Sequence, residues 1–227
     1  MDREQVIRAL MHARNLKNYL EIGVFNGHIF FRVKTKFKVA VDPCFPFSTG
    51  RKILKTIINP YNLYNRYFQK PADDFFAQDA TRVIGKRKIE ISLIDGMHEY
   101  DYALRDAENV LLRLSQNGVI VMHDCNPLTP EANVSFAEWE ARNFAGTWNG
   151  DVWKTIMHLR TRGDINVFVL DCDHGLGIIT REKPASVLSY TPQQIASFSY
   201  SDFDKNRKAW LNLKPAGYFF QHFGLNQ

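Results

Sequence analysis

The chain has 227 residues, of which 45% are hydrophobic, 23% charged and 13% aromatic. This composition excludes a wholly disordered chain, and ordinary glycine and proline contents exclude collagen-like and low-complexity classes. No run approaches the roughly 20 apolar residues that a membrane span needs, so we expect a globular, soluble protein without a membrane partner. The net charge of +5 is partly local, in residues 34–38 and 85–88, which we interpret as two solvated edges or as a rim that attracts anions.

The cysteines indicate the redox compartment. Cys44, Cys125 and Cys172 are odd in number and widely spaced, which favours a reducing compartment over a disulfide framework. The N-terminal residues show no secretory or lipidation signal. We therefore predict a cytoplasmic protein.

Short apolar runs alternate with longer helical periods along the chain, a pattern typical of an α/β protein. The predicted helices, in chain order, are 6–16, 53–58, 100–114, 192–198 and 202–213. The predicted strands, in chain order, are 18–24, 38–42, 89–95, 119–122, 165–170 and 176–180. Asn117-Gly118 is expected to close the helix that starts at Tyr100, as a C-cap.

These elements predict a Rossmann-like, doubly wound α/β fold. Its sheet should have about seven strands, mostly parallel, with an antiparallel edge hairpin over 165–180. Residues 1–183 are predicted to form a single domain in which 43–70 is a lid or insert. Residues 184–227 are predicted to form a helical extension that packs on the domain or on a partner subunit.

Acidic residues stand at the ends of four predicted strands. In an open parallel sheet, ligands bind beyond the carboxyl ends of the strands. A single carboxylate there could merely cap a helix, but several together favour a ligand site, because buried charges need partners. The strand-end residues are Glu21, Asp42, Asp95 and the pair His123-Asp124.

The turn after the first strand has the spacing Glu21-x-Gly23-x-x-x-Gly27, which is not a dinucleotide motif. Glycines at such a turn let the backbone approach a ligand closely. Glu21 would repel a pyrophosphate but suit a cationic amino group, and Asp42 is placed to accept from both ribose hydroxyls. A nucleoside with a cationic amino-acid tail satisfies both requirements.

The motifs in their order resemble the class I S-adenosylmethionine-dependent methyltransferases. The matching pieces are the first turn, Val41-Asp42-Pro43, Ile94-Asp95-Gly96-x-His98 and Gly118-x-Ile120-x-x-His123-Asp124. Within that class, the likeness is to the small bacterial branch of metal-dependent O-methyltransferases of sugars and natural products. It extends over roughly residues 18 to 180.

The resemblance implies S-adenosylmethionine as cofactor. Glu21 and Gly23 would lie by its methionine moiety, with Gly27 shaping the turn, and Asp42 would hold the ribose. Asp79 would bond the adenine amino group. The whole set of implied cofactor-binding residues is Glu21, Gly23, Gly27, Asp42, Asp79, Ala80 and Asp95.

The resemblance also implies a divalent cation, with Asp95, Asp124 and His123 as candidate ligands. His123 stands where an acid is more usual, and this leaves three alternatives open. Mg²⁺ could bind Asp95 and Asp124 while His123 stands aside, a softer ion could use the imidazole, or the site could hold no metal. Asn126 is a further candidate oxygen ligand.

His98 is the favoured general base, because an unperturbed imidazole titrates at about pH 6.5 and can take a hydroxyl proton at neutral pH. The alternative for His98 is a cap or polar contact on the following helix, and His123 is the second candidate catalytic residue. In the segment 148–154, Trp153 could border the acceptor, or Asp151 could cap a helix that begins at Val152.

We therefore predict an S-adenosylmethionine-dependent methyltransferase, with a small hydroxyl-bearing acceptor such as a sugar or secondary metabolite. A metal-dependent hydrolase using Asp95, His98, His123 and Asp124, and a non-catalytic nucleotide-binding module, are the competing hypotheses. Nucleic acid is not expected as a partner, because no dense aromatic-basic groove is evident. A homodimer through the aromatic tail at 218–220 stays open.

Overall fold

A computed structural model describes residues 1–226. Contacts divide the chain into two compact units, one made of 4–96 and 105–119, the other of 1–3, 97–104 and residue 120 onward. The helices are α1 Arg3–Ala13, α2 Thr49–Ile58, α3 Ala72–Gln78, α4 Ala80–Val83, α5 Tyr100–Arg113, α6 Phe136–Ala141, α7 Val152–Leu159, α8 Pro192–Ser197, α9 Tyr200–Trp210 and α10 Tyr218–Phe223. The strands are β1 Asn18–Ile22, β2 Phe37–Asp42, β3 Asn65–Gln69, β4 Ile89–Ile94, β5 Leu114–Met122, β6 Asn166–Asp171, β7 Leu176–Thr180 and β8 Leu213–Pro215.

The first unit contains a parallel part of the sheet. β1 pairs with β2 and with β4, and β2 pairs with β3. The register places Glu21 opposite Ala40 on one side and Leu93 on the other. All six residues of β2 are buried, as expected for a parallel strand that is covered on both faces.

The second unit contains the antiparallel hairpin that the sequence predicts. β6 pairs with β7, with Phe168 opposite Ile178, and β8 pairs with β6 in parallel. Within the first unit the strand order is β3-β2-β1-β4, and within the second it is β7-β6-β8. The mostly parallel, Rossmann-like α/β fold is confirmed, with eight strands among residues 1–226 rather than about seven.

The additional strand comes from the C-terminal tail. The helix predicted over 202–213 ends at Trp210, and Leu213–Pro215 then forms β8. A strand that contains a proline suits the end of a sheet, because proline lacks a donor for a further neighbour. The predicted hairpin therefore lies one strand inside the edge.

The Asn117-Gly118 helix cap is wrong. α5 ends at Arg113, and residues 117–118 lie within β5. Gly118 is absent from the residues with positive φ, so it does not take the left-handed conformation of a glycine cap. A Cβ on Gly118 would lie 2.7 Å from the Leu114 side chain, so close packing explains this glycine.

The predicted lid segment, 43–70, contains α2 and then β3, so its last residues belong to the sheet. The tail from 184 carries α8, α9 and α10 in addition to β8. Within residues 1–226, no helix combines the length and the apolar character needed to cross a membrane.

Candidate active site

The turn after β1 is fixed between two neighbouring strands. Gly23 donates its N–H to Val41 O at 3.0 Å, and Asp95 donates its N–H to Ile22 O at 2.9 Å. Gly23 has φ +79°, and a Cβ there would lie 1.9 Å from the Asp95 carbonyl oxygen. Only glycine fits, because both the conformation and the close approach of the backbone exclude a side chain.

Asp42 is a buried carboxylate at the carboxyl end of β2. Its Oδ2 accepts the N–H of Phe25 at 2.7 Å, and its Oδ1 accepts the N–H of Cys44 at 2.7 Å. These two bonds fix the orientation of the carboxylate, and each oxygen retains capacity for a further donor. The Asp42 side chain can therefore bind a pair of hydroxyl groups.

Glu21 is buried within β1 and accepts a hydrogen bond from the hydroxyl of Tyr19. The two residues are two positions apart, so their side chains lie on the same face of the strand. A buried carboxylate of this kind favours a cationic partner.

Lys38 is a buried cation that the sequence analysis missed. Its Nζ donates to Phe30 O at 3.0 Å, Val33 O at 2.9 Å and Asn62 Oδ1 at 2.6 Å. Burial lowers the pKa of Lys38 to about 7, against the opposing effect of Glu21. The interpretation of 34–38 as a solvated edge is therefore wrong for this lysine, because its backbone lies in a fully buried strand.

Asp79, the predicted adenine contact, is held by two cations. Lys70 Nζ lies 2.8 Å from Oδ2, and Arg82 Nη2 lies 2.5 Å from Oδ1. The hydrogen bonds from Lys70 and Arg82 lower the pKa of Asp79. Ala80 follows as the buried first residue of α4.

His98 has a defined tautomer. Its Nδ1 lies 2.9 Å from the backbone oxygen of Trp148, and a carbonyl only accepts, so Nδ1 carries a proton. The imidazole also stacks on the Trp148 ring, with centroids 4.7 Å apart. Nε2 faces Oδ2 of Asp124 at 3.3 Å. The carboxylate favours the uptake of a proton or a cation at Nε2, because a nitrogen lone pair and a carboxylate repel.

Asp124 is buried and has φ +59°. It accepts from Asn149 Nδ2 at 2.7 Å and from His123 Nδ1 at 2.7 Å. His123 Nε2 lies 2.6 Å from Nη1 of Arg3, and a guanidinium only donates. Both ring nitrogens of His123 are thus engaged, and Arg3 in turn pairs with Asp173 at 3.1 Å.

Sequence reasoning did not assign roles to Asn149, Arg3 or Asp173. Asn149 lies in the 148–154 segment, which the sequence analysis considered only as a border of the acceptor or as the start of a helix. Arg3 precedes the helix predicted over 6–16, and Asp173 lies in a predicted turn. Their roles depend on contacts between residues that are far apart in the chain.

One pair of described residues within the second unit could contribute to a metal site. His98 Nε2 and Asp124 Oδ2 lie 3.3 Å apart. A carboxylate and an imidazole fit a divalent cation, and the imidazole favours a softer ion than Mg²⁺. Both ring nitrogens of His123 already have partners.

Three other candidate residues already have partners in the structure. The side-chain oxygen of Asn126 accepts from Arg207, so it is already engaged. Trp153 is buried and stacks on other aromatic rings of its unit. Asp151 caps α5 instead of the helix that follows it, because its Oδ1 accepts from Tyr100 N at 2.7 Å.

Comparison with known proteins shows what this chain is similar to. Residues 20–125 match a family model described as a methyltransferase domain. Over these residues the chain is similar to methyltransferase domains, in agreement with the resemblance stated from the sequence. A search of curated proteins found no match.

Several solved structures share the fold of this chain. A methyltransferase of Podospora anserina, PaMTH1, solved with SAH bound, has a TM-score of 0.54 at 19% identity, covering 81% of this chain and 80% of its own. The O-methyltransferase TomG of Streptomyces achromogenes, in complex with SAM, has a TM-score of 0.56 at 12% identity, covering 79% of each chain. An O-methyltransferase of Bacillus cereus, in complex with SAH, has a TM-score of 0.55 at 11% identity, covering 80% of this chain and 82% of its own.

Proposed function

We propose that this methyltransferase transfers the methyl group of S-adenosylmethionine to a hydroxyl oxygen of a small acceptor, such as a sugar or secondary metabolite. The observation that carries the proposal is the pair His98 Nε2 and Asp124 Oδ2, 3.3 Å apart. The pair offers a nitrogen that can take a hydroxyl proton and a carboxylate that stabilises the resulting imidazolium. The proposal is supported by solved O-methyltransferases of the same fold in complex with SAM or SAH.

The cofactor would bind at the turn after β1. In this proposal the carboxylate of Asp42 holds the ribose hydroxyls, and the buried Glu21 faces the cationic methionine end. The bare backbone at Gly23 gives the cofactor access, with Gly27 shaping the turn. The other proposed cofactor contacts are Asp79, Ala80 and Asp95.

In the transfer, the bond between the methyl carbon and the sulfonium sulfur breaks as the bond to the acceptor oxygen forms. The hydroxyl proton passes to Nε2 of His98, and S-adenosylhomocysteine leaves. His98 is fixed for this by its Nδ1–H bond to Trp148 O. We assign His123 as a positioning residue, because its Nδ1–H orients Asp124 while Arg3 occupies its other nitrogen.

A second arrangement rests on the same pair, His98 and Asp124. A divalent cation bound by these two residues, with Asp95 as a further proposed ligand, would lower the pKa of the acceptor hydroxyl. His98 would then be a ligand, and Asp124 would be neutralised directly. The buried carboxylate of Asp124 needs a positive partner in either arrangement.

Calorimetric titration with S-adenosylhomocysteine tests the cofactor site. The parent protein should bind, and Asp42→Ala should bind at least about 100-fold more weakly, because two hydrogen bonds to a charged group are lost. Asp74→Ala is the matched control, because Asp74 is an exposed acid of the same unit. Equal affinity of Asp42→Ala and the control would refute the ribose assignment.

Methyl transfer to a panel of hydroxyl-bearing acceptors tests the chemistry. His98→Gln should retain S-adenosylhomocysteine binding and lose about 100-fold or more in turnover, whereas the exposed-site variant His28→Gln should be unchanged. Titration of the parent with Mn²⁺ after chelator treatment separates the two arrangements. Binding of Mn²⁺ that His98→Gln abolishes assigns His98 as a ligand, and turnover without added cation assigns it as the base.

A further inference from the structure

Helix α2 exposes its apolar face to solvent and turns its polar face towards the protein, the reverse of an ordinary surface helix. Its four aliphatic residues are exposed, at 58% for Ile53, 55% for Leu54, 73% for Ile57 and 67% for Ile58. Lys52 and the other polar residues on its opposite face are less exposed. None of the ten residues of α2, all of which the structure describes, is buried. An exposed apolar face of this kind marks an interaction surface.

Contacts on the polar side hold α2 in this orientation. Nζ of Lys52 lies over the ring of Tyr67 at 4.7 Å and over that of Phe47 at 5.4 Å. At the end of the helix, Asn62 Nδ2 donates to Lys55 O at 2.8 Å, and Asn59 Nδ2 donates to Phe31 O at 2.9 Å. The outward direction of the aliphatic residues is therefore built in by specific contacts.

The charge around this helix has one sign. Residues 22–72 contain nine lysines and arginines and a single acid, Asp42. Of the nine, Lys38 is buried, and two pair with acids outside the stretch, Arg32 with Glu4 and Lys70 with Asp79. The six other cations are Lys34, Lys36, Arg51, Lys52, Lys55 and Arg66. The surface that surrounds the aliphatic face thus favours an anionic partner.

A basic cavity adjoins the turn that follows α2. It has a volume of about 870 Å³, and Tyr61 of that turn lines it together with Lys17, Lys34 and Lys36. None of the described residues that line it is acidic. Arg8 and Arg32, also in the lining, both pair with Glu4, which leaves the three lysines as the principal groups that attract an anion.

We propose that α2 and the turn that follows it, residues 49–64, dock this protein on an anionic lipid surface. The aliphatic face would enter the boundary between headgroups and acyl chains, and the exposed Arg51, Lys34 and Lys36 would contact the headgroups. A ten-residue helix is about 15 Å long, enough to lie in the interface but not to span. The proposal revises the expectation of no membrane partner and does not depend on the reaction.

Two other occupants fit the charges less well. In a symmetric dimer the same patch meets itself, so the cations of one copy would face those of the other. A nucleic acid would match the charge but would leave Ile53, Leu54, Ile57 and Ile58 without apolar partners. An anionic bilayer satisfies the charge and the aliphatic side chains together.

Co-sedimentation with vesicles tests the proposal on the full chain. The parent should bind vesicles of phosphatidylcholine mixed with phosphatidylglycerol, bind those of phosphatidylcholine alone much more weakly, and dissociate as salt is raised. Ile57→Glu should lower the partition coefficient about tenfold or more. Leu112→Glu is the matched control, because Leu112 lies on α5 and is 72% exposed.

Three results would overturn the proposal. They are no binding of the parent to anionic vesicles, equal binding to both kinds of vesicle, and equal binding of Ile57→Glu and Leu112→Glu. Sedimentation velocity of the same proteins identifies the alternative. A dimer that Ile57→Glu alone dissociates, without vesicle binding, would assign this face to a second copy of the chain.

Discussion

The carboxyl group of Asp106 should make the stability of this protein fall between weakly acidic and weakly alkaline pH. Asp106 is buried on α5, and its Oδ2 lies 3.4 Å from the point where a Cβ on Gly96 would stand. Burial raises the pKa of Asp106 from 3.8 to about 7, the negative charge of Asp73 adds to the rise, and Arg105 opposes it.

The sign follows from proton counting. Between the ordinary pKa near 4 and the folded value of about 7, the folded state retains a proton that the unfolded state has released. Stability therefore falls as the pH rises through this window. A difference of about three pKa units corresponds to roughly 4 kcal/mol in total, of which about 2 to 3 kcal/mol lies between about pH 5 and pH 8.

Urea unfolding of the parent and of Asp106→Asn over this pH range measures the effect. The variant has no titrating group at this position, so its free energy of unfolding should gain about 2 to 3 kcal/mol on the parent from about pH 5 to pH 8. Glu108→Gln, an exposed change on the same helix, should follow the parent. A difference between parent and Asp106→Asn that does not vary with pH would refute the reasoning.

Two further substitutions test the packing around the site. Gly23→Ala should abolish S-adenosylhomocysteine binding in calorimetry and destabilise the fold by more than about 3 kcal/mol, because its Cβ would lie 1.9 Å from Asp95 O. Gly146→Ala shares the positive φ but has no described atom within 4 Å of the added Cβ, so it should cost only about 1 kcal/mol, and equal losses would contradict the steric argument. Lys38→Met should lower the free energy of unfolding by about 3 kcal/mol. The reason is that Phe30 O, Val33 O and Asn62 Oδ1 would lose the ammonium group that donates to them. The exposed-site change Lys36→Met should leave thermal and urea unfolding nearly unchanged, and a similar result for Lys38→Met would mean that those bonds contribute little.

Local pattern was sufficient for most of the fold. The apolar runs of β2, β4 and β5 and the period of α5 are visible in the sequence, because strands buried on both faces need continuous hydrophobic residues. The spacing of Glu21, Gly23 and Gly27, with Asp42 at the end of the next strand, indicated the resemblance to methyltransferases, and a methyltransferase-domain model matches residues 20–125. Each of these signals lies within a few consecutive residues.

β8 and the start of β5 escaped prediction because pairing partners define them. Leu213–Pro215 is a strand only because Val169–Asp171 of β6 lies beside it. Gly118 has the residue type of a helix cap, but it lies within β5. A glycine is needed there because a Cβ would lie too close to the Leu114 side chain. Intrinsic preference is weak at such positions, and tertiary contacts override it.

By itself, the sequence determined the α/β class, the position of the glycine turn after β1 and the set of acids at the strand ends. Only the tertiary structure decided how those groups are used. The proton on Nδ1 of His98, the engagement of both nitrogens of His123 and the outward face of α2 all arise from contacts between distant segments. Residue type fixes which bonds a side chain can make, whereas the fold fixes which partners it meets.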